Sequence, residues 1–209
     1  MTEATDPAAV EPVVFIIDDD EAVRDALAAL IEVAGLSART FASALEFLHR
    51  YGPEQPGCVV ADLRMPFMDG LELQEELSRR GISLPLIIIT AHGEVSSAVT
   101  ALRAGAVDFL EKPFDDEVFL RRVHEALQRD INQRRDRSAA ACALAKLSRL
   151  SPRERDVAGL MVEGYANKAI ANRLGIGVRT VETHRANILS KLDIRTVPEL
   201  LRLWMASSG

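Results

Sequence analysis

Four short apolar runs, rich in β-branched residues, each stop at a side chain that chemistry can use. Residues 13–17 lead into Asp18-Asp19-Asp20, residues 57–61 into Asp62, residues 84–89 into Thr90, and the weaker run 106–110 approaches Lys112-Pro113. Residues 37–41 make a fifth candidate strand. Apolar runs without polar alternation are expected of parallel strands covered on both faces. Amphipathic stretches lie between them: residues 23–31, with Val23, Leu27, Leu30 and Ile31 at helical spacing, then 72–77, 95–102 and 118–127. Strand and helix alternate over residues 13–128. That order predicts an α/β fold, a doubly wound five-stranded parallel sheet.

The rest of the chain reads differently. From Ser151 onward there are only helix-type patterns, punctuated by Gly164, Gly175 and Gly177, which predicts a small all-α domain of four short helices. Residues 129–149 contain neither Gly nor Pro and read as a continuation of the last helix, then a helical or loosely ordered linker. The expected organisation is a tail at 1–12, an α/β domain at 13–128, a linker at 129–149 and a helical domain at 150–209. Charge follows the same division. Residues 1–128 carry 10 Lys and Arg against 23 Asp and Glu, net −13; residues 129–209 carry 15 against 8, net +7. A short basic segment behind an acidic one suggests different partners, and nucleic acid fits the basic one.

Cys58 and Cys142 make no disulfide framework, and no Cys/His cluster suggests zinc. No apolar run approaches the ~18 residues of a membrane span. The acidic start lacks the basic and apolar regions of a secretory signal. A reducing cytoplasm without membrane contact is the expected setting.

In an open parallel sheet, ligands sit beyond the carboxyl ends of the strands. The loops there should gather the carboxylates of Asp18, Asp19 and Asp62, the Thr90 hydroxyl and the Lys112 ammonium. Clustered carboxylates need a compensating cation, and an oxygen-only ligand set points to Mg²⁺. One aspartate could then act as nucleophile towards a phosphoryl donor, with Mg²⁺ and Lys112 neutralising the transferring oxygens. Singly, each aspartate reads as a helix cap or a turn residue. Together, at the ends of strands, they read as a site.

Residues 13–128 resemble the receiver domain of two-component response regulators, a flavodoxin-like fold. The matching pieces are Ile17-Asp18-Asp19-Asp20, the run Asp62-Leu63-Arg64-Met65-Pro66-Phe67-Met68-Asp69-Gly70, Thr90-Ala91, Gly105-Ala106 and Phe109-Leu110-Glu111-Lys112-Pro113-Phe114. The resemblance implies that Asp62 is the phosphoacceptor and that Asp18, Asp19, Asp62 and the backbone carbonyl of Arg64 hold Mg²⁺. It makes Lys112 the phosphoryl-contacting lysine, with a cis bond to Pro113, and Thr90 and Phe109 the switch pair. Arg64 and His92 fall where side chains admit or block the water that ends the phosphorylated state. Phe67 departs from the pattern, since relatives most often have Gly there.

Residues 151–206 resemble the LuxR-type helix-turn-helix domain, and the whole chain resembles regulators of the FixJ/NarL type. The match runs through residues 150–157, Gly164, residues 167–171, 174–176 and 180–192. Local reasoning agrees: Ser151, Pro152 and Glu154 form a capping box with Pro at the first helical position. Val181, His184, Ile188 and Leu192 share one face of a helix. By the resemblance, Glu182, Thr183 and Ala186 stand at base-reading positions, and Lys168, Arg179, Thr180, Arg185 and Lys191 suit phosphate contacts. Ala166 and Gly177 stand where relatives often carry Ser or Thr caps.

The expected function is a transcription regulator, not an enzyme. A sensor histidine kinase phosphorylates Asp62, and the chain binds double-stranded promoter DNA, as a homodimer when phosphorylated or DNA-bound. A phosphatase of the dehalogenase type is the enzymatic rival, but it needs a second Asp where this chain has Arg64. A DNA-binding protein with a decayed receiver is the other, and the intact set of Asp18, Asp19, Asp62, Thr90 and Lys112 argues against it.

Overall fold

The computed structural model describes residues 10–91 and 108–207. The expected helix at 95–102, His92 and the Gly105-Ala106 pair lie outside the described residues. The chain divides into two compact units, residues 1–133 and 134–209.

In the first unit β1 (Val13–Ile17), β2 (Ser37–Phe41), β3 (Gly57–Asp62), β4 (Leu86–Thr90) and β5 (Asp108–Glu111) form one parallel sheet in the order β2-β1-β3-β4-β5. All four pairings are parallel. The chain leaves β1 towards one edge and returns to build the other, so the order reverses between β1 and β3. Their carboxyl ends, Asp18 and Asp62, flank that reversal, where sheets of this kind bind ligands.

Both faces are covered, which is why the strands read as continuous apolar runs. Phe15, Ile17, Val59, Ala61 and Ile88 face Phe47 of α2 (Ala44–Arg50) and Leu73 of α3 (Gly70–Arg79). Val14, Ile16, Val60, Ile87 and Ile89 face Ile31 of α1 (Glu21–Val33) and Phe119 and Val123 of α4 (Asp116–Leu147). The edge strand β2 alternates less cleanly and leaves Arg39 and Thr40 exposed.

One expectation shifts and one open alternative closes. The fourth strand starts at Leu86, not residue 84, because Pro85 has no N–H to pair; its carbonyl instead accepts from the Val59 N–H at 2.8 Å. It ends on Thr90 itself, so that hydroxyl belongs to the strand. Residues 129–147 are helical throughout, continuing from Asp116 as one 32-residue helix. No Gly or Pro interrupts it.

Close approach explains Gly57. A β-carbon there would come within 1.9 Å of the Val13 carbonyl oxygen. The Gly57 N–H donates to the buried Asp130 carboxylate of α4 at 2.9 Å. Burial and, secondarily, the nearby Asp130 charge push the adjacent Cys58 thiol well above its usual range, so Cys58 serves as a protonated core residue.

The second unit carries α5 (Pro152–Val162), α6 (Asn167–Leu174), α7 (Val178–Leu192) and α8 (Val197–Ala206). Val157, Met161, Ile170, Val181, Ile188 and Leu200 form its core. The Ser151–Glu154 capping box is present at the start of α5. Ala166 and Gly177 make no side-chain cap. Gly175 closes α6 with φ +64°, a conformation that costs Gly nothing.

Candidate functional site

The three aspartates that follow β1 do different jobs. Asp20 caps α1, accepting from the Ala22 N–H at 2.9 Å. Asp18 is only 3% exposed. Its Oδ1 accepts from the Asp20 N–H at 2.9 Å, and its carbonyl accepts from the Arg24 guanidinium at 2.8 Å. Asp19 is exposed and lines an open groove with Arg64, Phe67, Asp69 and Glu72.

Lys112 joins the ends of β1 and β3. Its Nζ lies 2.8 Å from Asp62 Oδ1 and 3.1 Å from Asp18 Oδ2. Its backbone N–H donates to the Thr90 carbonyl at 2.7 Å, and its bond to Pro113 is cis. Partial burial pulls the Lys112 pKa down. The hydrogen bonds and charges of Asp62 and Asp18 outweigh that and hold it above its ordinary value. The second oxygen of Asp62 accepts from the Arg64 N–H at 2.7 Å. Residues 50 and 94 positions apart in sequence thus meet on one ammonium.

The loop after β3 is held tightly. The Leu63 carbonyl accepts from the Gly70 N–H at 3.0 Å, and a β-carbon on Gly70 would come within 2.8 Å of the Asp62 carbonyl oxygen. Asp69 and Glu72 form a capping box on α3. Its Asp-x-x-Glu spacing was legible in sequence but carried no role there, and neither did Arg24.

Thr90 is 2% exposed, and its hydroxyl donates to the Ala91 carbonyl at 3.1 Å. Ile88 pairs with Phe109 across β4 and β5, and Thr90 lies two residues beyond Ile88. Thr90 and Phe109 therefore share one face of the sheet as diagonal neighbours. Phe109 is half-buried against the cluster that contains α2 and α3.

Among the described residues, no three Asp, Glu, His or Cys side chains converge as a metal-holding group. Mg²⁺ asks for less: one or two carboxylates, waters and substrate oxygens. Asp18, Asp19, Asp62 and the Arg64 carbonyl offer only oxygen, so the donor set fits.

On the helical unit, Lys168, Arg179, Thr180, Glu182, Thr183 and Ala186 are exposed, and Arg185 is half-buried. Thr183 spends its hydroxyl proton on the Arg179 carbonyl at 3.0 Å. Val181, Ile188 and Leu192 of α7 are buried, which turns the residues between them outward. Lys191 also has a partner within the helical unit. Its Nζ sits 2.7 Å from Glu154 Oε2, a carboxylate that also accepts from the Ser151 N–H at 2.8 Å. The Lys191 ammonium, then the Ser151 backbone, hold the Glu154 pKa down to about 2. Lys191 ties α7 to the cap of α5.

Comparison with known proteins places both units. A family model described as the response regulator receiver domain matches residues 14–124, and one described as bacterial regulatory proteins of the luxR family matches residues 148–204. The transcriptional regulatory protein FixJ of Azorhizobium caulinodans is 46% identical over 190 residues, spanning 91% of this chain and 90% of that one. The structure of the response regulator StyR aligns at a TM-score of 0.83 with 41% identity, covering 94% of this chain and 99% of that one. Full-length FixJ from B. japonicum aligns at 0.59 with 37% identity, covering 96% and 98%.

Proposed function

The chain belongs to the FixJ-type response regulators of two-component systems, phosphorylation-dependent transcription regulators, and from that premise we propose that Asp62 is its phosphoryl acceptor. The observation that carries this reading is the Lys112 ammonium bridging Asp62 and Asp18 at the carboxyl end of the sheet. In this reading residues 13–128 receive the signal, residues 150–209 bind DNA, and residues 129–149 connect them in a protein that works in the cytoplasm.

The donor is a phosphohistidine of a sensor kinase. An Asp62 oxygen attacks phosphorus in line, and the P–N bond breaks. Its electron pair passes to the imidazole, which leaves neutral because its other nitrogen carries a proton. Asp18, Asp19, Asp62 and the Arg64 carbonyl would hold Mg²⁺, whose charge offsets that of the phosphoryl oxygens. Lys112 already faces Asp62 and needs only a small shift to meet those oxygens.

Phosphorylation adds charge and three acceptor oxygens. Thr90 exchanges its bond to the Ala91 carbonyl for one to the phosphoryl group. Phe109, its diagonal neighbour, repacks into the space released. The changed outer face favours pairing of two chains, so that two copies of α7 meet two half-sites in adjacent major grooves. Glu182, Thr183 and Ala186 read bases, while Lys168, Arg179, Thr180 and Arg185 meet phosphates.

The test is incubation with acetyl phosphate and Mg²⁺. Asp62→Asn should stay folded and take up no phosphoryl group, and wild type should bind operator DNA more tightly after treatment. Label retained by Asp62→Asn, mapped elsewhere, would falsify the assignment.

A further inference from the structure

Phe67, five residues past Asp62, is 93% exposed, the highest among the exposed large apolar side chains of the described residues. Its φ is +69°, where a β-carbon is crowded and a bulky residue is an outlier. Asp193 is the other described non-glycine residue with positive φ, but it closes helix α7 and is a type that tolerates the conformation. Phe67 closes no helix and buries almost nothing. The chain therefore keeps an aromatic ring in water on a backbone that glycine would adopt without strain. Strain held without a packing return marks functional use.

The ring stands on the groove it shares with Asp19, Arg64, Asp69 and Glu72. Three carboxylates against one guanidinium make that groove acidic. It starts at the reacting group, since the Arg64 N–H binds the Asp62 carboxylate.

We propose that Phe67 is the apolar anchor by which this chain selects its protein phosphoryl donor. The matching donor is a phosphohistidine-bearing helix of a sensor kinase that seats the ring among apolar side chains and sets basic side chains against Asp69 and Glu72. The inference rests on Asp62 being the acceptor. A protein that delivers a phosphoryl group to Asp62 must cover the rim of this groove, whereas a small donor need not. A rigid aromatic ring already in water meets such a partner at little entropic cost, and anchors of this kind carry much of an interface's binding energy.

The experiment compares two donors on wild type, Phe67→Gly, Phe67→Ala and Phe67→Leu. One donor is an autophosphorylated sensor-kinase core chosen because it transfers to the wild-type chain; the other is acetyl phosphate. Phe67→Gly and Phe67→Ala should lose at least about tenfold in kcat/KM with the kinase, chiefly through KM. Both should keep their acetyl phosphate rate within about twofold, and Phe67→Leu should recover most of the kinase transfer. Phe67→Gly should also melt above wild type, because glycine relieves the strained backbone. Undiminished kinase transfer to Phe67→Gly overturns the proposal. So does an equal loss with both donors, which would put the ring in the chemistry instead. Failure of acetyl phosphate to label Asp62 in wild type is a separate result, and it would remove the acceptor assignment itself.

Discussion

The two functional regions are built in opposite ways. The acidic cleft assembles Asp18, Asp62, Thr90 and Lys112 from four separate loops and strand ends, and its charged groups largely satisfy one another. The helix-turn-helix places its candidate DNA contacts mainly on one helix, α7, with most of them exposed to solvent. Groups that are partly buried and paired contribute to stability and function together. Exposed groups on a helix that is already folded contribute to binding alone. The cleft should therefore be fragile where the helix is tolerant.

Lys112→Ala tests that contrast most severely. It leaves Asp18 and Asp62 facing each other without their shared cation. Residual phosphorylation should survive, but phosphorylation should no longer tighten DNA binding. Stability of the first unit should fall by about 1–3 kcal/mol in urea unfolding, less than for a fully buried pair because the lysine is partly solvated. A variant that is as stable as wild type and still switches would erase the distinction.

On the other side, Arg185→Ala should weaken binding to every DNA sequence and flatten the salt dependence. Glu182→Ala should change base preference, by about 1–3 kcal/mol at one position. Neither should change the unfolding free energy by more than about 0.5 kcal/mol. Competition binding at two salt concentrations, together with melting curves, separates these outcomes.

Lys191 sharpens the comparison because it lies on α7, with the candidate DNA contacts, yet is paired like a cleft residue. Lys191→Ala should destabilise the helical unit by under about 1 kcal/mol, since this ammonium remains half in water, and should leave the salt slope of DNA binding unchanged. The pairing also sets a pH window. Glu154 is held below its ordinary value of 4.5, at about 2, in the folded state. Its contribution is therefore present above about pH 4.5 and is lost as pH falls towards 2. Wild type should lose stability across that window more steeply than Glu154→Gln. Parallel pH curves for the two would show that the pair contributes nothing.

The smallest effect concerns the uncapped start of α6. Ala166→Ser supplies the missing side-chain acceptor and should stabilise the helical unit by about 0.5–1 kcal/mol without altering DNA affinity. Calorimetry resolves a change of that size.

Fold class and the polar residues that end the strands were legible from local rules. Apolar runs ending in Asp18, Asp62 and Thr90 mark strands buried on two faces, because only such strands omit polar alternation. Ser151-Pro152 with Glu154 announces a helix start, because unpaired N–H groups there need acceptors. Those signals depend on neighbours in sequence, so the sequence alone determined them. Long-range packing decided the rest. Asp18, Asp19 and Asp20 stand side by side in the chain, and their placement after β1 sets one against Lys112, one on the groove and one at the cap of α1. Lys191 reads as an exposed base until α5 brings Glu154 against it. Phe67 reads as a substitution of unknown meaning until its backbone is seen at φ +69° with the ring in water. Charge pairing and backbone strain arise from contacts across the fold, and no local pattern in the sequence encodes which contacts those will be.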